Sequence, residues 1–85
     1  MKKCAKELFE ELGYREFYDD EEYKEEHIQF IQDGVFICFH KNKKKVETWE
    51  LDDYFDIYNH LISLQELAAI NQMCKELGWI DDGRK

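Results

Sequence analysis

The sequence predicts a two-layer α+β domain, with an N-terminal and a C-terminal helix on one face of a three-stranded antiparallel sheet (α-β-β-β-α). Apolar residues recur every three or four positions near both ends of the chain, and they alternate with polar residues in the middle. Turn residues separate the alternating stretches. Since 85 residues leave room for one modest core, we expect a single domain over residues 1–85.

The C-terminal helix, over residues 62–79, is the best-defined element. Ser63 and Glu66 have the spacing of a capping box, in which hydroxyl and carboxylate satisfy backbone N–H groups of the first turn. Gly78 is expected to end the helix in a left-handed conformation, with Trp79 folding back. The predicted apolar stripe comprises Leu64, Leu67, Ile70, Cys74 and Leu77.

The N-terminal helix is predicted over residues 3–13. Its apolar face would carry Ala5, Leu8, Phe9 and Leu12, and Gly13 would end it. The helix lacks a good N-cap, and the lysines at its start oppose the helix dipole. We therefore expect its first turn to fray.

Three strands are predicted between the helices. Residues 27–32 alternate, residues 35–40 form a nearly continuous apolar run typical of a central strand, and residues 46–51 follow. Asp33-Gly34 is a hairpin turn signal. Residues 15–26 fit a short strand or an irregular loop, and residues 52–61 fit an extended connection or a short extra strand.

The expected register pairs His40 with Val46, because a slip of one residue would place charge in the core. One face then carries Val35, Ile37, Phe39, Trp49 and Leu51. The other, outer face carries His27, Gln29, Ile31, Phe36, Cys38, His40, Val46 and Thr48. That face is half apolar, so it is a dimer or partner surface, or the segment 54–58 covers it. Both tryptophans are expected to be buried.

The formal charge of −8 argues against direct binding of nucleic acid or an anionic membrane, and it favours a basic partner or simple solubility. No stretch is long enough to span a membrane, and no signal peptide is expected. The three cysteines form no Cys-x-x-Cys pair, which favours a reducing cytosol.

No motif indicates a catalytic residue, a cofactor or a metal site. Cys38 and His40 share a strand face, but their neighbours are apolar, whereas a catalytic thiolate needs an electropositive setting. Residues 19–27 offer carboxylates and one imidazole without the spacing or glycine of a calcium loop. We predict that the protein is not an enzyme, and a small metal- or thiol-dependent enzyme is kept as an alternative.

Two segments interleave carboxylates with tyrosines. Tyrosine supplies rigid contact area, carboxylates complement arginine and lysine, and a negative field speeds encounter with a basic partner. These segments are the predicted partner-binding surface. Its residues are Tyr18, Asp19, Asp20, Glu22, Tyr23, Glu26, Asp52, Asp53, Tyr54 and Asp56.

Both ends of the chain resemble those of small uncharacterised proteins encoded by phages and prophages of Gram-positive bacteria. The resemblance rests on residues 5–14, on residues 62–71, which contain the runs LQEL and AIN, and on the run ELGW at residues 76–79. It covers about a third of the chain and consists of helix caps and cores. It implies a phage accessory protein in the cytoplasm of a bacterial host.

By association, the resemblance also implies an inhibitor of a host nucleic-acid-binding or defence enzyme, of the anti-defence or DNA-mimic type. The expected partner is therefore the basic surface of a host protein. The alternative of another class is a homo-oligomeric phage structural or assembly protein, with a homodimer formed through the outer sheet face.

Overall fold

A computed structural model of the chain describes residues 3–80. Its elements are α1 (Ala5–Glu11), β1 (Arg15–Glu16), α2 (Glu21–Glu26), β2 (His27–Gln32), β3 (Val35–His40), β4 (Lys45–Leu51), β5 (Ile57–Asn59) and α3 (Leu64–Glu76). The strands form one antiparallel sheet in the order β1-β2-β3-β4-β5. The α+β class, the antiparallel sheet and the two terminal helices are confirmed.

The prediction of three strands was wrong, because the sheet has five. The additional strands are only two and three residues long, which is too short for an alternating pattern to be recognised. Residues 15–26 contain β1 followed by α2, and residues 52–61 contain the short extra strand β5.

The chain divides into two compact units. A helical unit comprises Met1–Gly13 and Ile62–Lys85, and a sheet unit comprises Tyr14–Leu61. No described helix has both the length and the apolar character needed to cross a membrane. The single domain over residues 1–85 stays a prediction.

In the helical unit, both ends of α3 form as predicted. The Ser63 hydroxyl accepts a hydrogen bond from the Glu66 N–H at 3.1 Å, and the Glu66 carboxylate accepts one from the Ser63 N–H at 2.8 Å. At the other end Gly78 has φ 76°, and the Trp79 N–H donates to the Cys74 carbonyl at 2.9 Å. This is the six-to-one bond of a Schellman motif.

The apolar stripe predicted for α3 is partly wrong. Leu64 is 82% exposed and Leu67 is 43% exposed, and Ile70 is the one stripe member that is buried. The buried residues of α3 are Glu66, Ala69, Ile70 and Met73. Helix α1 contacts α3, and its own buried residues are Ala5 and Phe9. Glu66 is tolerated on the buried face because the capping box engages its carboxylate.

The start of α1 is capped better than the sequence suggested. The Glu7 carboxylate accepts from the Cys4 N–H at 3.1 Å, and the Glu76 carboxylate accepts from the Ala5 N–H at 2.7 Å. Two carboxylates therefore lie at the positive end of the helix dipole, where they stabilise the first turn. The hydrogen bond from Cys4 lowers the pKa of Glu7 below its usual range.

The predicted register of β3 and β4 was wrong by one residue. His40 pairs with Lys45, so Phe36 lies opposite Trp49. One side of the sheet, the Phe39 face, carries Ile28, Phe30, Val35, Ile37, Phe39, Val46, Thr48 and Glu50. The other side, the Trp49 face, carries His27, Gln29, Ile31, Phe36, Cys38, His40, Glu47 and Trp49. Val46 and Thr48 thus lie on the face opposite to the one predicted.

The alternative register was expected to place charge in the core, but the Glu47 and Glu50 side chains stay partly exposed and each lies beside a histidine. The Glu47 carboxylate lies 2.8 Å from the His40 ring, and the Glu50 carboxylate lies 3.1 Å from the His60 ring. The indole of Trp49 stacks on the Phe36 ring, with centroids 5.0 Å apart.

Both tryptophans are half-buried, so the expectation of full burial was wrong. The fully buried rings of the sheet unit are Phe30 and Phe39 instead, packed edge to face with centroids 6.5 Å apart.

Candidate functional site

The residues predicted to bind a partner fall into two separate groups in the sheet unit. The first group precedes β2, and we call residues 16–26 the α2 segment. The second group lies between β4 and β5, and we call residues 52–56 the β4–β5 turn. The α2 segment leads into His27, which aligns through His40 with the start of β4, whereas the β4–β5 turn follows the other end of β4. The structure therefore does not bring the two groups together.

Several side chains of the α2 segment have local structural partners. The Asp20 carboxylate accepts from the Tyr23 N–H at 2.7 Å and so caps α2. The Tyr18 hydroxyl donates to Glu16 at 2.8 Å and accepts from the Gln29 N–H at 3.3 Å. Burial, helped by the Glu16 carboxylate, raises the pKa of Tyr18 to about 12. Three other residues of the predicted surface are exposed, and none of them caps a helix or holds a strand through the bonds described above: Asp19, Glu22 and Glu26.

In the β4–β5 turn, Asp52 holds the backbone. Its carboxylate accepts from the N–H groups of Tyr54 and Asp56 at 2.8 and 2.9 Å, and from the Tyr58 hydroxyl at 3.2 Å. The Phe55 N–H donates to the Asp52 carbonyl at 3.0 Å. The hydrogen bond from the Asp56 backbone is the main cause that lowers the pKa of Asp52. Asp52 is therefore a structural residue of this turn.

The same turn presents large apolar side chains to solvent. Tyr54 is 85% exposed, Phe55 is 80% exposed and Ile57, at the start of β5, is 71% exposed. Phe55 has φ 64°, a left-handed conformation that a bulky residue rarely adopts. Phe55 was not among the residues predicted for this surface, because left-handed backbone at a phenylalanine has no sequence signal. Asp53 and Asp56 are exposed beside it.

A groove of about 360 Å³ lies along β4 and β5. It is lined by Glu47, Thr48, Trp49, Ile57 and Asn59. Trp49 and Ile57 thus give this groove an aromatic and an aliphatic wall close to the β4–β5 turn.

A second constellation lies on the Trp49 face. One donor atom from each of His27, Cys38 and His40 lies within 4.8 Å of the other two. Cys38 is fully buried, and that burial raises the pKa of its thiol. The Tyr23 ring stacks on His27, and its hydroxyl lies 3.3 Å from the Cys38 sulfur. A neutral buried thiol of this kind is a poor nucleophile.

Both imidazoles have a fixed partner on one side. The His27 Nδ1 lies 3.0 Å from the Tyr23 carbonyl oxygen, and the His40 Nε2 lies 2.8 Å from the Glu47 carboxylate. A cavity of about 290 Å³ adjoins the rings, lined by Glu26, His27, His40, Asn42 and Lys43. The two histidines and Cys38 were predicted to share one sheet face, but not to form a single cluster. The Asp33-Gly34 hairpin was the available signal, because a two-residue turn there pairs His27 with His40.

Comparison of the chain with protein-family models, with curated proteins and with solved structures found no match.

Proposed function

We propose that this protein is a non-catalytic binding protein that engages a basic surface of a host protein through the β4–β5 turn and β5. The observation that supports this most directly is Phe55, an exposed aromatic residue in a left-handed conformation. Residues in sparsely populated backbone regions cost about 1–3 kcal/mol and cluster at binding and catalytic sites. The Asp52 hydrogen bonds compensate for that cost locally.

The turn combines the two kinds of contact that a basic partner requires. Tyr54 and Phe55 supply rigid apolar area, which produces most of the binding free energy when it is buried at an interface. Asp53 and Asp56 flank them with negative charge. Carboxylates at the rim of an interface accelerate association with a cationic surface and select against anionic ones.

Strand β5 adds a backbone contribution. It is the last strand of the sheet, and no other strand among residues 3–80 pairs with its outer side. An open strand edge offers N–H and C=O groups to an extended segment of another chain. A lysine- or arginine-containing extended segment is therefore the occupant that fits this edge.

The biological setting follows from the resemblance of the two terminal helices to small phage and prophage proteins. We extend the proposal to an accessory protein that acts in the cytoplasm of a bacterial host and inhibits a host nucleic-acid-binding or defence enzyme. The tyrosines of the α2 segment have a smaller part in this proposal than the sequence suggested. Tyr18 and Tyr23 are engaged in hydrogen bonds within the sheet unit.

The experiment compares three variants as baits in host lysate, followed by titration of the captured protein at low and high salt. Phe55→Asn removes the aromatic ring with a residue that tolerates left-handed backbone. Asp53→Lys/Asp56→Lys reverses two charges at the turn. Asp19→Lys/Glu22→Lys makes the same change in net charge on the α2 segment and is the matched control.

We expect Phe55→Asn to abolish capture, mainly by faster dissociation. The Asp53/Asp56 reversal should weaken binding at low salt, and the Asp19/Glu22 reversal should leave most of it. Equal loss in both charge reversals would indicate binding by net charge alone and would contradict the turn as the site. Capture that Phe55→Asn leaves unchanged would also contradict the turn as the binding site. If the purified chain self-associates, and Phe55→Asn does not prevent this self-association, the homo-oligomeric alternative would be favoured.

A further inference from the structure

We propose that His27, Cys38 and His40 form a binding site for a divalent transition-metal ion of borderline softness, with Zn²⁺ as the expected occupant. Two imidazoles and a thiolate are donors that Zn²⁺ prefers, whereas Mg²⁺ and Ca²⁺ prefer oxygen. This proposal is independent of the β4–β5 turn.

The sheet register creates the site. His27 lies directly opposite His40 on the neighbouring strand, and Cys38 is two residues from His40 on the same strand face. Three donors are thus presented by two paired central strands and by no loop. A site built on paired strands is held more rigidly than one built on loops.

The contacts around the rings are those that metal-binding histidines usually have. A metal-ligating histidine donates its other ring N–H to a backbone carbonyl or a carboxylate, which fixes the tautomer. His27 meets a carbonyl, that of Tyr23, and His40 meets a carboxylate, that of Glu47. Since both partners only accept, the neutral rings keep one lone pair each, on Nε2 of His27 and on Nδ1 of His40.

The donor atoms are close to the spacing that a metal needs. Zn–N bonds of about 2.0 Å and Zn–S bonds of about 2.3 Å place tetrahedral donors roughly 3.3–3.6 Å apart. One ring nitrogen of each histidine and the Cys38 sulfur lie within 4.8 Å of one another. Each donor would therefore move toward a common centre by about 1 Å or less.

Tyr23 and the adjoining cavity supply the surroundings of the site. The Tyr23 hydroxyl donates to the Gln29 side-chain oxygen and lies 3.3 Å from the sulfur, so its proton can turn from Gln29 to the thiolate once the thiol proton has left. The cavity of about 290 Å³ provides space for water as a fourth ligand. The cavity lining includes Glu26 and Lys43, whose opposite charges offset each other. The proposal therefore depends on the donor atoms and not on a negative potential in the cavity.

Cobalt substitution tests the site without an assay of activity. In a Cys4→Ser/Cys74→Ser background, Cys38 is the one remaining thiol of the chain. Titration with Co²⁺ should then produce a thiolate-to-cobalt charge-transfer band and intense visible bands of tetrahedral cobalt, saturating at one ion per chain. Zn²⁺ should displace the cobalt and raise the thermal unfolding midpoint, and Mg²⁺ should do neither.

Three variants assign the ligands. His27→Gln and His40→Gln should each weaken Co²⁺ binding by about tenfold or more, and Cys38→Ser should abolish the charge-transfer band. His60→Gln, on the Phe39 side of the sheet, should leave the spectrum unchanged. Absence of the band at millimolar Co²⁺ would overturn the proposal. A charge-transfer band of equal intensity in the folded His27→Gln and His40→Gln variants would also overturn the proposal. This outcome can be read even if Cys38→Ser does not fold.

Discussion

Tyr23 stacks on His27, with ring centroids 4.0 Å apart and ring planes within 9° of parallel. The same tyrosine reaches Gln29 and Cys38 through its hydroxyl, at 3.3 Å in each case. A residue that the sequence analysis assigned to a partner-binding surface is thus part of the packing over the Trp49 face. Its contribution to the protein is first of all structural.

Tyr23→Phe should destabilise the fold by about 1 kcal/mol, because the buried side chain of Gln29 loses the hydrogen bond that the Tyr23 hydroxyl donates to it. Tyr23→Ala should cost more, since it also removes the stacked ring. Urea unfolding of both variants measures the difference. Equal stabilities of wild type, Tyr23→Phe and Tyr23→Ala would contradict this structural role.

Ser63→Ala should lower the free energy of unfolding by about 1 kcal/mol, because the Glu66 N–H loses its acceptor. Ser63→Asp is the matched control, since aspartate is an equally good N-cap and should retain most of the stability. Denaturant titration followed by helical circular dichroism provides the comparison. The capping explanation fails if the two variants are equally stable.

Phe55→Asn should leave the stability unchanged or raise it by up to about 1 kcal/mol, because asparagine tolerates the left-handed backbone that strains phenylalanine. Little burial is lost, since Phe55 is 80% exposed. Phe55→Val, which is β-branched, should be less stable than either. Thermal unfolding of the three proteins tests the order, and a clear destabilisation by Phe55→Asn would show that the ring packs on the protein.

The β4–β5 turn should loosen in acid. Hydrogen bonds to the Asp52 carboxylate lower its pKa in the folded protein, so their contribution is present above the unfolded-state pKa of about 3.9 and is lost as the pH falls through the lower folded-state value. Amide NMR shifts of Tyr54 and Asp56 followed against pH should report this titration. Asp52→Asn should show no such step. An Asp52 carboxyl that titrates at or above the ordinary value would contradict the turn geometry.

Phe36 and Trp49 should be energetically coupled. Their rings are stacked with planes within 2° of parallel, an arrangement that contributes about 0.5–1.5 kcal/mol beyond buried area. A double-mutant cycle with Phe36→Leu and Trp49→Leu measures this coupling. The control cycle pairs Phe36→Leu with Tyr58→Leu on the other side of the sheet and should be additive. Additivity in both cycles would argue against the observed register of β3 and β4.

Elements set by local chemistry could be predicted from the sequence. The Ser63–Glu66 capping box, the left-handed Gly78 and the bounds of β2 and β3 all depend on residues within a few positions of each other. Hydrogen bonds and backbone preferences over that range leave a pattern in the chain itself. The acidic, tyrosine-rich composition selected residues of the β4–β5 turn as a binding surface, and that role stays a prediction.

Only the tertiary structure decided which distant residues meet. A slip of one residue in β4 moved Trp49 to the other side of the sheet, because an antiparallel pair alternates faces at every residue. The left-handed backbone of Phe55 lies within a turn closed by the Asp52 hydrogen bonds, and the cluster of His27, Cys38 and His40 arises from the pairing of two strands. Register and turn geometry depend on packing energies summed over the whole sheet, which no local pattern contains.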